Sequence, residues 1–222
     1  DFSLVRLNAD GSLDNSFSGD GIVTTSMASN DIIYAMILQP DGKIIVAGSV
    51  INGTDLDFAL ARYNTDGSLD ISFDADGKVF TDFGILDDKI LGITLQTDGK
   101  IVVTGYTDNG INLDWALARY NIDGTLDNSF DGDGMVTTAI GPYYEIAYAV
   151  SILSDGKIIA AGCSSNGMDD DFALVRYNID GSTDSSFDGD GIVVTSLGAD
   201  DWIFGMVIQT DGKSVVGGYT QN

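Results

Sequence analysis

Histidine is absent from this 222-residue chain, and cysteine and glutamate occur once each, as Cys163 and Glu145. Without histidine there is no Ser-His-Asp triad, no Cys-His dyad and no His-ligated zinc. One cysteine forms no intrachain disulfide. Cys163 also aligns, in the repeats described below, with Ser49, Tyr106 and Tyr219, so the position reads as passive and not as a dedicated thiol. Basic residues are scarce: 10 Lys and Arg stand against 34 Asp and Glu, a formal charge of −24. Nucleic acids and anionic membrane surfaces are gripped by basic patches, so neither is an expected partner. No run of roughly 18 apolar residues exists, so no direct membrane insertion by a helix is expected. The chain begins at Asp1 with neither Met nor a signal-like apolar stretch, which reads as a mature or excised segment.

What is present is repetition. An aromatic after Asp recurs at Phe2, Phe58, Trp115 and Phe172, and an arginine at Arg6, Arg62, Arg119 and Arg176. Asp-Gly-Lys recurs at 41–43, 98–100, 155–157 and 211–213, and Ser-Phe ends at Phe17, Phe73, Phe130 and Phe187. Four registers in step define four copies of one unit. Each unit carries four short runs rich in Val, Ile, Thr and aromatics, divided by Gly/Asp turns, which are strand signals. Apart from Glu145 every acidic residue is aspartate, a turn former, and not glutamate, a helix former.

Four antiparallel strands repeated radially make a propeller blade. The fold class expected is all-β, a single β-propeller over 1–222 built of four four-stranded antiparallel blades. Its units are 1–27 with 200–222, 28–84, 85–141 and 142–199. The chain starts inside one unit and stops inside another, so one blade is expected to be completed by the N- and C-terminal strands. The alternative is a slice of a larger propeller. Ala35, Gly92, Ala149 and Gly205 align and are small, while their neighbours Tyr34, Leu91, Tyr148 and Phe204 are large. That pattern suits a crowded inner strand with side chains packing between blades.

The strings DFALARYNTDGSLDISFDADGKV (57–79) and ITLQTDGKIVVTGY (93–106) resemble the delta-60 repeat family of bacterial β-propeller repeats, over essentially the whole chain. A more distant similarity is to NHL-type blades. The resemblance implies the propeller fold and an extracellular or cell-surface bacterial location. It implies no reaction.

Two residue sets are candidates for function. The first is the turn between the third and fourth strands of each unit. It holds Asp66, Asp70, Asp74 and Asp76 in one copy, Asp123, Asp127, Asp131 and Asp133 in the next, and Asp180, Asp184, Asp188 and Asp190 in the last. Closely spaced Asp with Gly at the sharp turn can supply oxygen ligands to calcium, Ca2+. Against that, Arg62, Arg119 and Arg176 occupy the place where such a loop would put its first Asp. The competing expectation is a set of Asx turns with an Arg–Asp clamp per blade.

The second set is the loops leading into each first strand, which differ between copies. They carry Asp31, Asp88, Tyr143, Tyr144, Glu145, Asp201 and Trp202. The hairpins after the second strand, at Asn52-Gly53, Asn109-Gly110 and Asn166-Gly167, share their face. Carboxylates, amides and exposed rings suit a glycan or protein ligand at a cell surface. The function expected is a non-enzymatic binding or scaffolding module. The rivals are a purely structural array and a calcium-dependent hydrolase, lactonase or lyase, with Glu145 as its acid or with Asp31, Asp88, Glu145 and Asp201 ringing an axial cation.

Overall fold

A computed structural model describes residues 1–84 and 86–221; the expected unit boundary at residue 85 and the final residue, 222, lie outside the described residues. Each repeat folds as the periodicity requires. β3 (Ser29–Leu38), β4 (Ile44–Ile51), β5 (Leu56–Tyr63) and β6 (Lys78–Thr81) form a first antiparallel meander. β7 (Asp88–Leu95), β8 (Ile101–Asp108), β9 (Leu113–Tyr120) and β10 (Met135–Thr138) form a second. β11 (Glu145–Ile152), β12 (Ile158–Ser165), β13 (Asp170–Tyr177) and β14 (Ile192–Thr195) form a third. β1 (Phe2–Val5) pairs β2 (Ile22–Thr25), and β15 (Asp201–Ile208) pairs β16 (Ser214–Thr220). Among the described residues there is no helix.

The sheets stack in chain order. β3 packs on β7, β7 on β11 and β11 on β15, the succession of inner strands in a β-propeller. The fourth blade is present as two halves, β1–β2 and β15–β16, and among the described residues no register joins them. This differs from a single completed blade. The edges of β1 and β16 stay without a ladder, and side chains such as Val207, Val215 and Phe204 on the trailing half are exposed.

The core lies between blades, not within one. Phe58, Leu60 and Ile45 of the first blade pack with Ile90, Val103 and Ala118 of the second. Trp115 and Leu117 of the second meet Ala147, Ala160 and Val175 of the third. The alternation visible in β9 therefore does not separate core from solvent: every residue from Asp114 to Tyr120 is buried, because a neighbour covers each face. Burying a Phe or Leu fully contributes on the order of 1.5–3 kcal/mol each. Tyr120 and Tyr177 also keep a polar contact across the junction, their hydroxyls 2.8 Å from Thr81 and Thr138.

The inner strands carry a bulge in every copy. The register of β7 on β8 skips from Ile90 to Gly92, and the same step occurs at Ile33/Ala35, Ala147/Ala149 and Ile203/Gly205. The residues passed over are Tyr34, Leu91, Tyr148 and Phe204. Their size thus reflects release from the ladder as well as blade packing. The bulge presses a backbone carbonyl against the second strand. A β-carbon at Gly48, Gly105, Gly162 or Gly218 would collide with the carbonyl oxygen of Ile32, Lys89, Ile146 or Trp202. Glycine is required there by close approach.

Candidate functional site

The acid-rich turns are built around arginine. Arg119 donates from Nε to Asp127 Oδ2 at 2.6 Å and from Nη2 to Ser129 Oγ at 3.0 Å, and its Nη1 bonds the Ile179 carbonyl of the following blade. Its guanidinium lies 4.6 Å from the Phe130 ring centroid. Arg62 repeats this with Asp70, Ser72, Ile122 and Phe73. Arg6 and Arg176 pair with Asp14 and Asp184 at 2.8 and 2.6 Å. The backbone adds a stitch: Asp74 N–H donates to Asp123 O and Asp131 N–H to Asp180 O, both at 2.7 Å. The left-handed φ of 46° at Asp74 and 51° at Asp131 aims those N–H groups, a conformation Asp tolerates.

One carboxylate oxygen of several other turn acids is also engaged by the chain itself. Asp66, Asp123 and Asp180 accept from the backbone and hydroxyl of Ser68, Thr125 and Ser182. Asp76, Asp133 and Asp190 accept from Lys78, Met135 and Ile192 N–H. The lysine of Asp-Gly-Lys is no idle charge: Lys43, Lys100 and Lys157 reach Asp70, Asp127 and Asp184 at 2.7, 2.7 and 2.6 Å. Burial raises the Asp70 and Asp127 pKa values, but hydrogen bonds from lysine and serine and the arginine charge outweigh it and hold both well below the usual carboxylate range. Asp70, Asp127 and Asp184 thus each meet a guanidinium and an ammonium group. Asp188, with φ 52°, belongs to the same turn in the third blade.

The loop acids lie elsewhere than expected. Asp88, Glu145 and Asp201 are fully buried and Asp31 is 8% exposed. Each clamps the loop preceding its own strand: Met27 N–H donates to Asp31 at 2.7 Å, Phe83 to Asp88 at 2.7 Å, Ile140 to Glu145 at 2.8 Å and Leu197 to Asp201 at 2.6 Å. They do not form an axial ring. Among the described residues one group of three acids brings its oxygens within 4.8 Å, and it is Asp57, Asp82 and Asp88. The physical reason is directional: the side chains turn into the blade junctions, where loop N–H groups need acceptors. Burial raises Glu145 to about 7, with the Asp114 charge adding to it, and raises Asp88 to about 6.

Three of the expected residues do converge. Tyr143, Tyr144 and Trp202 gather around Asp170, which the sequence did not single out. Trp202 Nε1 donates to Asp170 Oδ2 at 2.7 Å, and the Tyr144 hydroxyl donates to the same oxygen. Burial and that carboxylate push the Tyr144 pKa far up. Trp202 stacks at 5.9 Å on Tyr148, which meets Phe204 edge-on at 5.3 Å. Asn112 Nδ2 donates to the Tyr143 carbonyl at 2.7 Å, and the Tyr143 ring lies directly on Gly167. Tyr143, Tyr144, Asn112 and Asp170 line a cleft of about 430 Å³ with Ile111, Met168, Asp169 and Asp200, and Trp202 braces it from behind through Asp170. Ile111 and Met168 are 91% and 92% exposed at its rim. Cys163, beneath, is buried with its thiol raised to about 12.

Asp170 was hidden in the run Asp169-Asp170-Asp171, where composition gives no hint of which carboxylate meets a ring. The signal that pointed to the cleft was divergence between copies in the flanking loops. The segments at 1–17, 39–73, 96–130 and 153–187 match a family described as a domain of unknown function (DUF5122) β-propeller. No curated protein matches the chain. The matched segments cover more than half of the residues and repeat in step with the blades, so the chain belongs to this β-propeller family of delta-60 type repeats.

Proposed function

We propose that this propeller is a non-catalytic recognition module of a secreted or cell-surface bacterial protein, which grips a protein segment in the cleft above Asp170. One observation carries the reading. Exposed apolar side chains, Ile111 and Met168, flank the Tyr143 ring on hairpins where the repeats diverge. Solitary exposed apolar residues are ordinary, whereas a cluster around a concave site favours a partner. The acids Asp169, Asp170 and Asp200 and the net charge of −24 favour a ligand with basic residues beside apolar ones. A glycan is the second reading, favoured by the two exposed rings of Tyr143 and Tyr144 next to Asn112.

A hydrolase has less support. Glu145, the sole glutamate, is buried beneath the loop it clamps and does not face the cleft. The test is to screen the protein against a peptide display library and a cell-surface-glycan array, with Tyr143→Ala/Met168→Ala in parallel. Selective binding of basic, apolar peptides by the parent and its loss in the variant is the expected result. Equal retention by the variant refutes the site.

A further inference from the structure

The junction of the first and second blades differs from the others in its charge. Asp57 is the second residue of the first blade's third strand, Asp82 follows that blade's last strand, and Asp88 opens the inner strand of the second. One carboxylate oxygen from each lies within 4.8 Å of the other two. The positions equivalent to Asp82 are Ser26, Ala139 and Ser196, so the sister junctions hold two acids where this one holds three. Asp57 and Asp88 are 4% and 0% exposed. Among the described residues the ion pairs involve other carboxylates.

Hydrogen bonding accounts for part of the cluster only. Asn52 Nδ2 donates to Asp57 Oδ2 at 2.9 Å, Phe83 N–H to Asp88 Oδ2 at 2.7 Å and Gly84 N–H to Asp82 Oδ1 at 2.7 Å. Asp88 Oδ1 is fully buried in the same cluster and has no partner. The Thr107 hydroxyl, opposite on β8, favours the charged form of Asp88 but makes no hydrogen bond to Oδ1. Unpaired buried carboxylate oxygens recur at Asp114, Asp171 and Asp201 of the sister junctions, but among the described residues only here do two further carboxylates stand beside one, a costly arrangement unless a cation completes it.

We propose that Asp57, Asp82 and Asp88 bind one calcium ion that ties the first blade to the second. The ligands are all hard oxygens, which suit calcium and magnesium over softer metals. Oxygens on opposite sides of one calcium stand about 5 Å apart, given Ca–O distances of about 2.3–2.6 Å, against about 4 Å for magnesium. The three oxygens lie within that calcium diameter of one another, so one calcium ion can meet all of them. Asp82 is exposed, so water completes the coordination from that side. The proposal is independent of the cleft and of the arginine turns.

The test is calorimetric titration of chelator-stripped protein with calcium chloride and separately with magnesium chloride, for the parent and Asp82→Ser. Serine stands at this position in two sister repeats, so the variant is expected to fold, which far-ultraviolet circular dichroism verifies. The expected result is one calcium per chain in the parent, at least tenfold weaker binding in the variant, and a calcium-dependent rise in Tm confined to the parent. No binding heat and no rise in Tm in the parent would overturn the site. So would equal binding by the variant, the behaviour of diffuse attraction to an acidic surface. Magnesium binding as tight as calcium overturns the assignment of the ion.

Discussion

Replacing each repeat arginine by methionine tests the clamp that holds consecutive blades. The four sites share one geometry and differ in exposure. Arg119 and Asp127 side chains are 2% and 7% exposed, and Arg62 and Asp70 are 4% and 7%. Arg176 is 21% exposed, and Arg6 and Asp14 are 32% and 23%. Methionine keeps much of the apolar stem but removes the guanidinium, leaving Asp127 with Lys100 as its one cation and the Ile179 carbonyl without its donor. Breaking a buried pair by removing one partner costs about 3–5 kcal/mol, whereas an exposed pair contributes about 0–1 kcal/mol. For 222 residues, about 1 kcal/mol moves Tm by about 2–4 °C. Arg119→Met and Arg62→Met should therefore lower Tm by about 6–20 °C, and Arg6→Met by less than about 4 °C. Calorimetry and urea midpoints at fixed pH read the series. Equal losses at Arg6 and Arg119 would refute burial as the source of the clamp's strength.

Other outcomes follow from the same geometry. Gly105→Ala drives a β-carbon into the Lys89 carbonyl and should destabilise by about 3 kcal/mol or more, read by urea unfolding. An unchanged midpoint would remove the bulge argument. Glu145 is raised to about 7 in the folded protein from 4.5, so the folded state holds a proton that the unfolded chain releases between those values. Stability therefore falls as pH rises from about 5 to about 7, by at most about 3 kcal/mol, and Glu145→Gln should flatten that slope. Slopes that superimpose for parent and variant would sink the assignment. Asp170→Asn weakens the acceptor shared by Trp202 and Tyr144, so indole fluorescence should shift and the cleft should bind less tightly; an unchanged spectrum and affinity would deny Asp170 its place at the hub.

Repeat spacing and strand composition made the blades legible, because turns and β-branched runs are local properties. The Arg–Asp clamp was readable too, since its partners are eight residues apart in the same turn. What escaped depends on contacts between copies. Lys100 reaches Asp127 across 27 residues, and nothing in Asp-Gly-Lys announces that reach. The glycines at 48, 105, 162 and 218 answer a bulge on the facing strand, which no single-strand pattern displays. The loop acids were placed at the surface because carboxylates in variable loops usually are. Here Asp31, Asp88, Glu145 and Asp201 instead turn inward to cap loop N–H groups. Alternation could not reveal this, because both faces of the strands they touch are covered by neighbouring blades.

The central claim is that recognition resides where the repeats diverge. Its most direct measurement is the Kd of the tightest peptide from the display library for three proteins. These are the parent, the cleft variant Tyr143→Ala/Met168→Ala, and a control, Asp98→Ala/Asp155→Ala, in the repeat-true hairpin turns. The account predicts at least tenfold weaker binding for the cleft variant and an unchanged Kd for the control. Loss confined to the control, or equal affinity in all three, would contradict it.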